Sequence, residues 1–159
     1  MRRHFSDWFR GPLLIIWVGS LWVVGYLVVP QLFALLPDRV LAGQVAGGLL
    51  RQTAWIGLVL APLVLFLLWP VVAGCGWRRR LPLLVSVALI AAGHAVALAL
   101  LQPEMAAMKV AVAPLDVMQS PLREQFIRWH GIASGIYLLQ SLLALLVVLR
   151  YGTAARAQP

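Results

Sequence analysis

Apolar positions along this chain fall into four long runs, separated by shorter stretches where charged residues, glutamine and proline gather. A helix needs about 20 mostly apolar residues to cross the hydrocarbon of a bilayer. Segments 12–36, 54–74, 81–101 and 131–149 meet that requirement, the last slightly short but uninterrupted by charge. None reads as a pair of strands, because open sheet edges are not tolerated in hydrocarbon.

Two of the three connections are longer than a tight turn, and their patterns are helical. Residues 38–53 place Val40, Leu41, Val45, Leu49 and Leu50 roughly on one stripe, with Arg39, Gln44, Arg51 and Gln52 supplying polarity. This predicts an amphipathic helix that leads into the second span, either along the interface or as an extension of the bundle. Pro37-Asp38 ahead of it suits a turn followed by an N-cap. Between residues 102 and 130, Pro103, Pro114 and Pro121 delimit two short predicted helices, 104–112 and 122–129. Ser120-Pro121 followed by Glu124 has the order of a helix start: cap, proline at the first position, acid in the first turn. The expected fold class is all-α. Residues 1–159 form one integral membrane four-helix bundle, made of two helical hairpins with amphipathic helical extensions on the periplasmic side.

Composition supports lipid as the main solvent. Of the 159 residues, 62% are hydrophobic and 11% are charged, against about 25% charged in a soluble domain. The net charge of +8 does not form a stripe that would suit nucleic acid; the basic residues cluster at the ends of apolar runs. Arg2, Arg3, Arg10, Arg78, Arg79, Arg80, Arg150 and Arg156 share one side in a four-span count. The other side holds Arg39, Arg51, Lys109, Arg123 and Arg128, nearly balanced by Asp38, Glu104, Asp116 and Glu124. The excess of arginine on the first side predicts a multi-pass protein of the bacterial inner (cytoplasmic) membrane with both termini cytoplasmic. Trp8, Trp17, Trp69, Trp77, Trp129 and Tyr151 fall near the predicted interfaces, as belt residues do. The first run is too long for a secretory signal core and no clean cleavage site follows it, so it is read as a retained helix. Cys75 is the single cysteine, which excludes an internal disulfide.

Gly43-xxx-Gly47 and Gly131-xxx-Gly135 have the small-xxx-small spacing that lets helix backbones approach closely, within the chain or between copies. Ser86, Ala88, Ala91, Ala92, Gly93 and Ala95 line the third span with small residues. Polar organisation also hints at a faint two-fold repeat: Pro30-Gln31 in the first hairpin answers Gln102-Pro103 in the second.

Polar groups inside a membrane are expensive and are the first place to seek function. The middles of the spans carry no Asp, Glu, Lys or Arg, which argues against a carboxylate-based pump. His94 lies in the third span, about 10 Å of helical rise from Leu101. His130 opens the fourth. If these helices pack together, the two imidazoles could face one cavity and ligate haem b or copper, with Met105, Met108 and Met118 as nearby soft donors. The alternative is that His94 hydrogen-bonds a carbonyl or Gln140 and holds the helices together, while His130 anchors at the interface beside Trp129 and Arg128. Met105 and Met108 would then be one apolar face of a short helix. No haem-attachment, cysteine-pair, phosphate-loop or nucleophile-elbow motif is present. Ser134 and His130 share a helix face without an orienting acid, so no hydrolase is expected.

The stretch Leu122-Arg123-Glu124-Gln125-Phe126-Ile127-Arg128-Trp129-His130-Gly131-Ile132-Ala133-Ser134 resembles an element of the transmembrane protein 205 family. Gln102-Pro103-Glu104-Met105-Ala106-Ala107-Met108 is similar to that family's exit from the third span, and residues 17–25 are similar to its first-helix signature. The resemblance implies a four-helix membrane protein whose animal members are linked to tolerance of cisplatin and whose bacterial relatives are a domain of unknown function. It would make Arg128, Trp129, His130, Gly131 and Ser134 the residues to test. The outer loop between the third and fourth spans is shorter and less charged than in the animal pattern. Together these readings predict a non-enzymatic assembly, scaffolding or toxic-compound-tolerance role without a cofactor. The bilayer is the expected partner, joined by other membrane proteins or further copies of the chain.

Overall fold

The structure is a computed structural model that describes residues 2–73 and 76–156, with the side chains of 2–10, 70–73, 79 and 152–156 left out. Gly74, Cys75 and the side chains of Arg2, Arg3, Trp8, Arg10, Arg79 and Arg156 therefore lie outside the described residues. All regular structure among the described residues is helical, so the all-α expectation holds. The helices are α1 (Arg2–Val23), α2 (Val29–Leu35), α3 (Arg39–Ala73), α4 (Trp77–Val96), α5 (Gln102–Val112) and α6 (Arg123–Arg156). π-helical segments join α1 to α2 (Val24–Val28) and α4 to α5 (Ala97–Leu101), and a 3-10 turn at Val117–Gln119 precedes α6.

The breaks have local causes. Leu36 is extended (φ −89°, ψ 124°), as the residue before Pro37 must be to avoid the proline ring. The Asp38 carboxylate then accepts from the amides of Val40 (2.8 Å) and Leu41 (3.2 Å), satisfying donors at the start of α3. Ala113, preceding Pro114, leaves helical geometry at ψ 140° and ends α5. Ser120 Oγ accepts from the Leu122 amide at 3.2 Å ahead of α6. The amphipathic segment 38–53 does not lie apart on the interface: it is the first half of α3, continuous with the second span. Segment 122–129 is likewise continuous with the fourth span in α6. No helix-breaking residue separates either extension from its span, so hydrogen bonding simply propagates.

The two π segments sit just ahead of Pro30 and Pro103. A proline inside a helix removes one amide donor and presses on the carbonyl four residues earlier. A locally widened turn accommodates both effects without breaking the helix. The two-fold organisation suggested by Pro30-Gln31 and Gln102-Pro103 thus has a counterpart in backbone geometry.

Among the described residues, four apolar segments are long enough to span a bilayer: Gly11–Leu35, Arg39–Trp69, Arg80–Val112 and Arg123–Tyr151. The last three, of 31, 33 and 29 residues, are longer than predicted, because the extensions are collinear with the spans. The helices close a ring in which α1 and α4 each pack between α3 and α6. Leu14, Trp17, Val64, Leu68, Leu83, Val87, Ile90 and Val147 form an apolar core in the half of the bundle nearest the two termini. Trp17 is 3% exposed and belongs to this core. The interfacial position expected for it is wrong, because α1 extends back to Arg2 and carries Trp17 inside the bundle. Large apolar side chains such as Ile15, Val59, Phe66 and Leu149 face outward. In lipid that outward face is solvated rather than stranded.

Candidate functional site

Above the apolar core, toward the α2–α3 turn, polar side chains gather inside the ring. Among the described residues, four of the five buried polar side chains, Ser86, His94, Gln140 and Ser141, come from α4 and α6. His94 is 3% exposed and Gln140 is also 3% exposed. The Gln140 amide nitrogen, Nε2, donates to the Ile90 carbonyl at 2.9 Å and lies 3.1 Å from Nδ1 of His94. A carbonyl oxygen can only accept, so the amide nitrogen must face Ile90. The same nitrogen then offers its second hydrogen to Nδ1, which accepts and leaves the imidazole proton on Nε2. His94 is thereby a neutral, oriented side chain. Of the two hydrogen-bond partners the sequence offered His94, a carbonyl or Gln140, the structure forms the bond to Gln140.

Glycines make this contact possible. A Cβ on Gly57 of α3 would overlap the His94 ring, and one on Gly93 would stand 2.8 Å from Gln140 Nε2. Both side chains therefore fill volume that a larger residue would deny them. On the other flank of α6, the Tyr137 hydroxyl donates to the Leu21 carbonyl at 2.5 Å. The Tyr26 hydroxyl donates to Ser141 Oγ at 3.0 Å, and Ser141 donates to the Tyr137 carbonyl at 2.8 Å. A Cβ on Gly25 would overlap the Tyr137 ring. Tyr26 and Tyr137 meet edge-on with centroids 6.1 Å apart. One turn of α6, residues 137–141, thus ties itself to α1 on one side and to α4 on the other, while His94 reaches α3.

A second polar contact closes the end near the α2–α3 turn. Lys109 of α5 donates to the Gly43 carbonyl at 3.1 Å and stands 5.6 Å above the Phe126 ring. Phe126 in turn stacks on His130 with centroids 6.0 Å apart.

The two histidines are not brought together. His94 is at the level of Gln140, and His130 lies ten residues earlier on α6, about 15 Å of helical rise away. His130 is exposed. Met105 is half-buried and Met108 buried on the covered face of α5, whereas Met118 is exposed. Among the described residues no group of three His, Cys, Asp or Glu side chains is placed to hold a metal ion. Arg128, Gly131 and Ser134 are exposed along α6 and Trp129 is half-buried. Of the small-residue pairs, Gly43 lies under Lys109 and near Phe33, while a Cβ on Gly47, Gly131 or Gly135 would meet nothing within 4 Å. The close approaches inside the ring are at Gly25, Gly57 and Gly93 instead. Gly25 and Gly57, with Tyr26, Tyr137 and Ser141, were missed as site residues in the sequence, and Gly93 was read only as one of the small residues lining the third span. Tyr137-x-x-Gln140-Ser141, a polar turn within an otherwise apolar run, was the available signal.

The fold and this internal polar layer define a multi-pass, four-helix membrane protein whose intramembrane polar groups join its own helices. The chain belongs to the family described as a domain of unknown function (DUF4149), whose model matches residues 13–114. That range includes α2, α3, α4 and α5 with half of α1; α6, which carries Gln140 and the Arg128–Ser134 stretch, lies beyond it. No curated protein and no solved structure matches the chain.

Proposed function

We propose that this is a non-enzymatic scaffold of the bacterial inner membrane, with both termini cytoplasmic, which presents the exposed face of α6 to another membrane protein or to a second copy of itself. The observation that carries this reading is a division of labour along α6. Its polar residues at 137–141 are used inside the ring, while Arg128, His130, Gly131, Ser134 and Gly135 are exposed. Small and polar side chains on an outward face cost packing within the chain and suit close approach by another helix. His94 is read as a group that locks helices rather than as a haem or copper ligand. Its Nδ1 is occupied by Gln140 and its ring is pressed against Gly57. The resemblance of residues 122–134 to the transmembrane protein 205 family adds tolerance of a toxic compound as the setting in which such a scaffold would act.

The test is photo-crosslinking from position 134, compared with position 66 on the opposite, lipid-facing surface of α3. A defined adduct from position 134, lost in Gly131→Leu while the thermal midpoint of the bundle is unchanged, is the expected result. Equal and diffuse labelling from both positions, with a monomer in mild detergent, would discard the reading.

A further inference from the structure

At the end of the bundle that carries both termini, one cation is held in an unusual way. Arg80 is in the first turn of α4, at the start of the third span. Its guanidinium carbon lies 5.4 Å from the ring centre of Trp69, at the end of the second span, and 5.3 Å from that of Trp77. The two indoles, 52% and 60% exposed, stand at the rim of the bundle. They hold the guanidinium through cation–π contact, which uses none of its N–H donors. Its Nε is shielded from solvent and has no hydrogen-bond acceptor among the described residues. The carboxylates whose side chains are described, those of Asp38, Glu104, Asp116 and Glu124, all belong to the opposite end of the helices. No described side chain at this end therefore supplies the anion that a half-buried guanidinium calls for.

We infer that Arg80, clamped between Trp69 and Trp77, binds the phosphate oxyanion of a phospholipid headgroup or of free phosphate. The planar guanidinium fork matches two oxygens of a phosphate group, which a lysine does not. Its depth is that of a headgroup: Arg80 opens a span whose apolar residues follow at once. The site is independent of the proposed role of α6, and of which leaflet it faces, because phospholipid phosphates occupy both. Arg78, by contrast, is simply exposed.

Purified full-length protein in detergent is titrated with phosphatidylglycerol, with diacylglycerol and with inorganic phosphate, and adducts are counted by native mass spectrometry. The first phosphatidylglycerol adduct should weaken on the order of tenfold in Arg80→Ala, and severalfold in Arg80→Lys and Trp77→Leu. Arg123→Ala, at the other end, should bind as the unaltered protein does, and diacylglycerol should give no Arg80-dependent adduct. Competition separates the two sources. Displacement of the lipid by millimolar inorganic phosphate assigns the site to free phosphate; persistence of the lipid adduct assigns it to the headgroup. Equal phosphatidylglycerol affinity in the unaltered protein and Arg80→Ala would overturn the proposal. Should Arg80→Ala not fold, unchanged affinity in both Arg80→Lys and Trp77→Leu would overturn it equally.

Discussion

The Gln140 amide nitrogen reaches from α6 to Nδ1 of His94 on the neighbouring α4 at 3.1 Å, and the same nitrogen holds the Ile90 carbonyl one turn below. A single side chain of α6 thus satisfies a backbone carbonyl and fixes the tautomer of the histidine in α4. In lipid, where apolar burial gives no gain between helices, such contacts and close packing are what fix the arrangement.

Gln140→Leu should destabilise the bundle by about 1 kcal/mol. A double-mutant cycle with His94→Leu should give a coupling of about 0.6–1.7 kcal/mol, the range for hydrogen bonds between membrane helices. Unfolding in bicelles measures both; additive single effects would show that the contact contributes nothing.

Gly57→Ala should cost about 1–3 kcal/mol, because the added methyl overlaps the His94 ring in a packed interior. Adding His94→Ala should restore most of that loss, since the ring that clashes is gone. A thermal midpoint for the double variant as low as for Gly57→Ala alone would place the clash elsewhere.

Gly25→Ala and Gly131→Ala should separate in sign. The first sets a methyl against Tyr137 and should lower the thermal midpoint; the second faces open space and should leave the isolated chain unchanged or raise it. Helix propensity alone favours alanine over glycine by about 1 kcal/mol, so any loss at Gly131 in a monomer would point to a contact outside the chain.

Asp38→Ala should remove the cap of α3 and cost about 1 kcal/mol. Asp38→Asn should retain most of it, because the amide oxygen still accepts from the Val40 amide. Hydrogen exchange at the first amides of α3 reports the difference directly.

Reporter fusions should place residue 79 and the C-terminus in the cytoplasm and residue 115 across the membrane. The arginines at 78–80 and in the tails set that expectation. Fusions at 79 and 115 reporting from one compartment would remove it.

Much of the fold was legible because hydrocarbon imposes a length and a composition that water does not. The four apolar runs and the Asp38 cap could be read from residue type and local order, since each depends on neighbours within a few positions; the helix start expected at Ser120-Pro121 falls instead at Arg123, with Ser120 and Pro121 in the turn before it. Trp17 was misread for the opposite reason. An indole suits either an interface or a core, and only the course of α1 past residue 10 decides which. The pairing of Gln140 with His94 was legible as one of several alternatives, because a buried histidine in lipid needs a partner. Gly25 and Gly57 were hidden among 13 glycines, and Gly93 stood out only as one small residue of the third span, since nothing local marks a glycine that faces a large side chain on another helix.

By itself the sequence determined an all-helical protein long and apolar enough to cross a membrane four times, through the span lengths, the prolines that end helices and the scarcity of charge. Tertiary structure alone decided which helices are neighbours and therefore what each polar side chain meets. It placed His94 with Gln140 and Gly57, left His130 outside, and set Arg80 between two indoles. The physical reason is that helix formation is governed by contacts a turn apart, whereas the partner of a buried polar group is chosen by how separate helices close around it.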